Sequence, residues 1–152
     1  VPTPGKDYTV LIDYSHTPDS LENILRAVRG FCTGRIIAVF GCGGDRDPYK
    51  RPVMGKIAAE LSDLAIVTSD NPRTEDPYKI LRQILAGMQD TETPYEVIES
   101  RVSAIGRAME LAQKDDVIVL CGKGHETYQE IGHEKHHLDE REVVASYLEA
   151  NA

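Results

Sequence analysis

Arg35-Ile-Ile-Ala-Val-Phe40 is a near-continuous apolar run that empties at once into Gly41-Cys-Gly-Gly-Asp-Arg-Asp-Pro-Tyr-Lys-Arg51. An apolar run without polar alternation reads as a strand covered on both faces. The glycine loop ends it, and a helix follows from about Arg51 to Leu61. The same rhythm repeats on either side. Tyr8–Ile12, Leu64–Thr68, Tyr95–Ile98 and Val117–Leu120 read as further strands. Between the first two strands, Leu21, Ile24, Leu25 and Val28 fall at helical spacing, with Thr17 as cap, Pro18 in the first turn and Asp19 favourable to the dipole. Asp76-Pro77 starts another helix carrying Ile80, Leu81, Ile84, Leu85 and Met88. Ser100 caps one carrying Val102, Ile105, Met109 and Ala112.

After Leu120 the alternation breaks. Glu126–Ile131 and Glu134–His137 flank Gly132-His133 and predict a small hairpin. Asp139, with Glu142 three residues on, predicts a capping box for a last helix bearing Val143, Val144, Tyr147 and Leu148. Strands alternating with helices imply one α/β domain. It is read as a doubly wound, Rossmann-like, mostly parallel sheet with a C-terminal antiparallel hairpin.

The chain has 152 residues, enough for one domain with its own core. Its formal net charge of −8 argues against a nucleic-acid partner, whose phosphates require a basic face. No apolar run approaches the roughly 20 residues of a membrane span, so no membrane partner is expected. Cys32, Cys42 and Cys121 are too few and scattered for a disulfide framework or a zinc cage. Reduced thiols and a cytoplasmic location are the expectation.

Ligands of such sheets bind beyond the carboxyl ends of the strands. Four loops lie there. In Asp13-Tyr-Ser-His-Thr-Pro-Asp19, a carboxylate at a strand end can accept from a ribose diol, and His16 can meet a base; the plainer reading is a turn and a cap. Gly41–Arg51 offers three glycines to an anion and brings Arg46, Lys50 and Arg51 into an acidic chain. It matches neither GxGxxG nor GxxxxGK[ST]. Its plainer reading pairs the arginines with Asp45 and Asp47. In Asp70-Asn71-Pro72-Arg73, Asn71 offers a donor and an acceptor, and Arg73 a planar fork for a carboxylate. In Gly122-Lys-Gly-His-Glu126, Glu126 can receive an ammonium group. Two potential ligands without a third make no metal site, and none is expected here. His136 and His137 point to opposite faces of the hairpin, so they read with His133 as surface or pairing residues.

Together, in this order and each after its predicted strand, these four motifs resemble the C-terminal domain of Mur ligases, over nearly the whole chain from about Tyr8. The Asp70–Arg73 tetrapeptide resembles the mark of the diaminopimelate-adding branch. The resemblance implies an ATP-dependent, ADP-forming ligase of peptidoglycan precursor synthesis. ATP phosphorylates the terminal carboxylate of a UDP-N-acetylmuramoyl dipeptide, and an incoming amine attacks the acyl phosphate. It implies that Arg46, Asn71, Arg73, Gly122 and Glu126 hold meso-diaminopimelate, with Asp70, Asn71, Pro72 and Arg73 as the specificity motif. Asp13 and His16 match positions near the ADP ribose and base. The same resemblance assigns the phosphate loop, most of the hold on ATP and Mg²⁺, and the UDP site to upstream domains that this chain lacks. Contact with a central ATPase domain is implied, and this domain alone is expected to be inactive, with no catalytic residue of its own. The family's Val-Pro-Gly-Arg stretch is absent from Val1-Pro-Thr-Pro-Gly-Lys6, which with the missing phosphate loop suggests an excised domain. A lysine-adding sibling and a non-catalytic amino-acid or nucleotide binding module are the alternatives.

Overall fold

A computed structural model describes residues 1–151. Five strands, β1 (Thr9–Asp13), β2 (Ile36–Phe40), β3 (Leu64–Val67), β4 (Tyr95–Val97) and β5 (Val117–Cys121), form one sheet in the order β1-β5-β2-β3-β4. Every pair in it is parallel. Helices α1 (Pro18–Arg29), α2 (Lys50–Leu61), α3 (Pro77–Ala86) and α4 (Arg101–Leu111) make the crossovers. β6 (Tyr128–Ile131) and β7 (Glu134–His137) pair antiparallel as a separate hairpin, and α5 (Glu140–Ala150) closes the chain. The doubly wound sheet and the terminal hairpin are those expected from the sequence.

β2, β3 and β5 are buried along their whole length. Their side chains alternate between two cores. Ile36, Ala38 and Phe40 pack with α1, α2 and α3, whereas Ile37 and Val39 pack with α4 and α5. That two-sided burial is why Arg35–Phe40 shows no polar alternation. Fully burying one such side chain contributes roughly 1.5–3 kcal/mol. Thr17 caps α1 in a reciprocal box with Ser20, as its position before Pro18 suggested.

Two local expectations fail. Val102 is exposed, because the inner face of α4 is set by Arg101, Ala104, Ile105, Ala108 and Met109. The charged Arg101 occupies a position that an apolar pattern search passes over. The box at Asp139 does not close: Asp139 caps the Arg141 amide, and Glu142 instead bonds His137 at 2.6 Å. That bond raises the His137 pKa. Among the described residues no helix is long and apolar enough to cross a membrane.

Candidate functional site

The parallel sheet delivers the loops after β1, β5, β2 and β3 to one edge, side by side. A cleft of about 410 Å³ opens between them. His16, Arg46, Asp70, Asn71, Arg73, Gly122 and Glu126 all line it, with Lys50 and Tyr14. Asp13 and Pro72 do not. The Asp13 backbone carbonyl accepts from the Gly122 amide at 3.0 Å, tying the first loop to the fourth. A larger hollow of about 730 Å³ lies beside β1 and α5. Its wall is mostly apolar and holds Gly124 and His125 of the fourth loop but none of the residues expected to hold a ligand, so size alone does not mark the chemistry.

The glycine loop works by close approach rather than as an open cradle. A Cβ on Gly41 would meet the Thr68 carbonyl, and one on Gly44 the Pro72 carbonyl. The Gly44 amide already donates to the Asn71 carbonyl at 2.7 Å. The glycines therefore seat this loop against the Asp70–Arg73 turn.

Its cations separate into two kinds. Arg46 is exposed, and among the described residues its side chain bonds only the Asp45 carbonyl, at 3.0 Å. Lys50 donates to the His16 carbonyl at 3.1 Å. Arg51, grouped with them from the sequence, is fully buried instead. It forks onto Glu75 at 2.8 and 2.9 Å and also reaches Gln83 and the Gly43 carbonyl. Arg51 is the first cause of the Glu75 carboxyl falling to a pKa of about 2. It is a brace, not a ligand-binding cation. The expected pairing of arginines with Asp45 and Asp47 is also absent. Asp45 accepts from the Thr74 hydroxyl at 2.6 Å, and Asp47 from the Tyr49 amide.

Arg73 sits in the left-handed region at φ 52°, uncommon for a side chain of its size. The hairpin holds it there. Its amide donates to the Glu130 carbonyl and its carbonyl accepts from the Gly132 amide. Its guanidinium gives Nε to Glu130 at 2.9 Å and Nη1 to the Gly44 carbonyl at 3.0 Å. Nη2 makes no hydrogen bond to a described residue. The fork read from the sequence is thus partly engaged, with Nη2 left for a ligand.

Asn71 differs from expectation in a similar way. Its Oδ1 accepts from Lys123 Nζ at 2.8 Å and from the Glu130 amide at 2.9 Å. The acceptor end is spent, and only the donor end remains. Lys123 is fully buried, with Asp70 Oδ1 at 3.2 Å. Burial pushes its ammonium below the ordinary range, while Asp70 opposes that shift. On the other side, Glu126 accepts from the Tyr14 hydroxyl at 3.3 Å. The nearby Glu126 charge raises the Tyr14 pKa. Tyr14 packs edge-on to His16 at 4.8 Å between centroids, and His16 Nδ1 lies 3.0 Å from the Tyr14 carbonyl. Sequence reading passed over Glu130, Gln129 and Arg101. They lie in a hairpin and a helix rather than a strand-end loop, and no motif signals them. The hairpin histidines gather no metal site. Among the described residues no three His, Cys, Asp or Glu converge on one point.

The cleft therefore presents free cationic and donor groups beside a carboxylate, which suits a zwitterion with an extra negative charge. Residues 1–124 match the family described as Mur ligase, glutamate ligase domain. The chain is 63% identical over 145 residues to a UDP-N-acetylmuramoyl-L-alanyl-D-glutamate–2,6-diaminopimelate ligase of Trichormus variabilis, covering 95% of this chain and 29% of that protein. It is 54% identical over 143 residues to the ligase of the same name from Clostridioides difficile, covering 94% of this chain and 30% of that protein. A solved structure of a ligase of that name superposes with a TM-score of 0.92 at 40% identity, over 96% of this chain and 30% of that one. The chain thus spans about three tenths of the length of the relatives it matches. With most of its length under the family description and a fold that superposes throughout, the chain belongs to the Mur ligases, as their glutamate ligase domain.

Proposed function

We propose that this chain is the C-terminal domain of a longer ATP-dependent, ADP-forming ligase, and that its cleft holds meso-diaminopimelate for addition to UDP-N-acetylmuramoyl-L-alanyl-D-glutamate. The observation that carries this reading is the convergence of Arg46, Asn71, Arg73, Gly122 and Glu126 on one cleft. Diaminopimelate exceeds lysine by one carboxylate on the ε-carbon. Taking that charge out of water requires a strong donor set. Arg73 Nη2 and the donor end of Asn71 supply one, and Glu126 answers an ammonium group.

The chemistry follows from position. The bound amine attacks the acyl carbon of the phosphorylated dipeptide, the C–N bond forms, and inorganic phosphate leaves. This domain's part is to fix the amine-bearing ligand. The Asp13 carboxylate, which accepts no hydrogen bond from a described residue, and His16 suit a partial contact with the nucleotide's ribose and base. Among the described residues no three His, Cys, Asp or Glu side chains converge into an all-protein metal cage. Mg²⁺ and the phosphates belong, in this reading, to an upstream ATPase domain.

The test is the full-length ligase assayed for ADP release with ATP, Mg²⁺, the UDP-linked dipeptide and either meso-diaminopimelate or L-lysine. Release with meso-diaminopimelate is expected. Release with lysine alone would move the chain to the lysine-adding branch. An open reading frame without an upstream phosphate loop, and without turnover, would leave a binding module.

A further inference from the structure

Lys123 has no role in the reading above, yet its side chain is fully buried behind the cleft-lining Asp70 and Asn71. A lysine costs free energy to bury unless its ammonium is fully used. Here it is used on two consecutive residues of the specificity turn, Asn71 Oδ1 at 2.8 Å and Asp70 Oδ1 at 3.2 Å. Asp70 is held again through its carbonyl, which accepts from Gln129 Nε2 at 2.7 Å.

A side-chain amide has two ends of nearly equal shape and opposite hydrogen-bonding sense. A free asparagine in a ligand cleft can turn either end to its ligand. Asn71 cannot. Flipping it would set its NH₂ against two donors, the Lys123 ammonium and the Glu130 amide. Both are themselves immobilised, one by burial and the other by the hairpin backbone. With Oδ1 locked inward, Nδ2 makes no hydrogen bond to a described residue, and Asn71 lines the cleft.

We infer that Lys123 is a positioning residue for substrate choice: by holding Asn71 Oδ1 it fixes the amide with its donor end toward the cleft, so that position 71 reads a carboxylate and not an ammonium. The inference rests on the amino-acid-binding reading above and deepens it. It explains why a cation is buried where no ligand reaches. Lys123 contributes to discrimination at one remove, through Asn71, which lines the same cleft as Arg73.

The test is Lys123→Met in the full-length ligase, which keeps chain length and removes the donors. The ratio of kcat/KM for meso-diaminopimelate over L-lysine should fall by about 10- to 100-fold, the value of a hydrogen bond to a charged group. The KM for ATP should stay within a few-fold. In an Asn71→Ala background, Lys123→Met should lower the ratio no further, because Lys123 acts through Asn71. A purely structural role would lower melting temperature and total activity but leave the ratio and this coupling unmoved, and that result would overturn the inference. Should Lys123→Met not fold, the wild-type ligase with ¹⁵N-labelled asparagine decides. The Asn71 side-chain amide signals should move with meso-diaminopimelate and not with lysine; unmoved signals at saturation would overturn the assignment. A wild-type enzyme that does not use meso-diaminopimelate would instead remove the substrate reading itself, and this inference with it.

Discussion

Replacing Arg73 by Ala, Gly and Lys separates its backbone role from its side-chain role. Its φ of 52° is a conformation that costs an L residue roughly 1–2 kcal/mol and costs glycine little. Removing the side chain takes a donor from the Gly44 carbonyl and a partner from Glu130. Glu130 keeps 28% of its side-chain exposure and can rehydrate, so this loss should be modest, about 1 kcal/mol. Arg73→Ala keeps the strained backbone and loses the contacts. Arg73→Gly loses the same contacts and relieves the strain. The Gly variant should therefore melt about 2–8 °C above the Ala variant, close to wild type. Ligand use should follow the side chain instead. Truncating one member of a hydrogen-bonded charge pair costs about 2–5 kcal/mol, and 19% exposure of Arg73 favours the lower half of that range. That is roughly 30- to 300-fold in kcat/KM for meso-diaminopimelate, equal in both variants, with the KM for ATP nearly unchanged. Arg73→Lys keeps the charge but not the planar fork, and should fall between them and wild type. Steady-state kinetics on the full-length ligase, beside thermal melts, make the check. If Arg73→Gly recovered normal kinetics, or if all three variants kept them, Arg73 would be a turn residue and not a ligand contact.

Other outcomes follow from the braces around the cleft. Glu75 has a folded pKa of about 2 against an ordinary 4.5, chiefly through its bonds from Arg51. A depressed carboxyl stabilises the fold above its unfolded pKa and loses that stabilisation as pH falls through the folded value. Stability should thus decline between about pH 4.5 and 2, and Glu75→Gln should flatten this part of a pH–melting curve; an unchanged curve would contradict it. Gly44→Ala should destabilise by about 1–3 kcal/mol in chemical denaturation and raise the KM for the amino acid, because a Cβ meets the Pro72 backbone. Wild-type values for both would show that the two loops do not need their close seat. Burial pushes the Cys42 and Cys121 thiols up to about 12, so native iodoacetamide treatment near pH 8 should leave both unmodified by mass spectrometry. Rapid labelling of either would show that its strand end opens.

The architecture was legible because burial leaves a pattern. Ile36–Phe40 is apolar throughout since α1–α3 cover one face and α4 and α5 the other. The cleft was legible because parallel strands send their loops to one edge, where Arg46, Asn71, Arg73, Gly122 and Glu126 gather. What escaped was the division of labour among like residues. Arg46 and Arg51 stand five positions apart, one in the glycine loop and one in the first turn of α2, and nothing local distinguishes the exposed one from the buried one. The distinction comes from Glu75 and Gln83, far along the chain and brought in by α3. Val102 and Arg101 were exchanged for the same reason. Hydrophobicity assigned the inward face to valine, but the Ser69 and Cys121 carbonyls and Glu140 draw the guanidinium inside.

Those buried cations form a common device. Arg51 holds the Gly43 carbonyl to the Glu75 turn, Arg101 spans the carbonyls of Ser69 and Cys121, and Lys123 holds Asp70 and Asn71. Each joins a loop of one strand to a loop or element from elsewhere, and each is fully buried. A buried ion pair contributes little net stability compared with an apolar pair of the same volume. Its advantage here is direction. A planar guanidinium donates in fixed directions and a buried ammonium needs acceptors around it, so each holds the carbonyl and amide groups beside the cleft. An apolar plug would fill the same space and leave the loops free to slide. A cleft that distinguishes a ligand by one carboxylate depends on donors held to within a fraction of an ångström. In an acidic chain the cations that line the cleft, Arg46 and Arg73, stay partly open, and the deeper ones keep the loops that carry them in register.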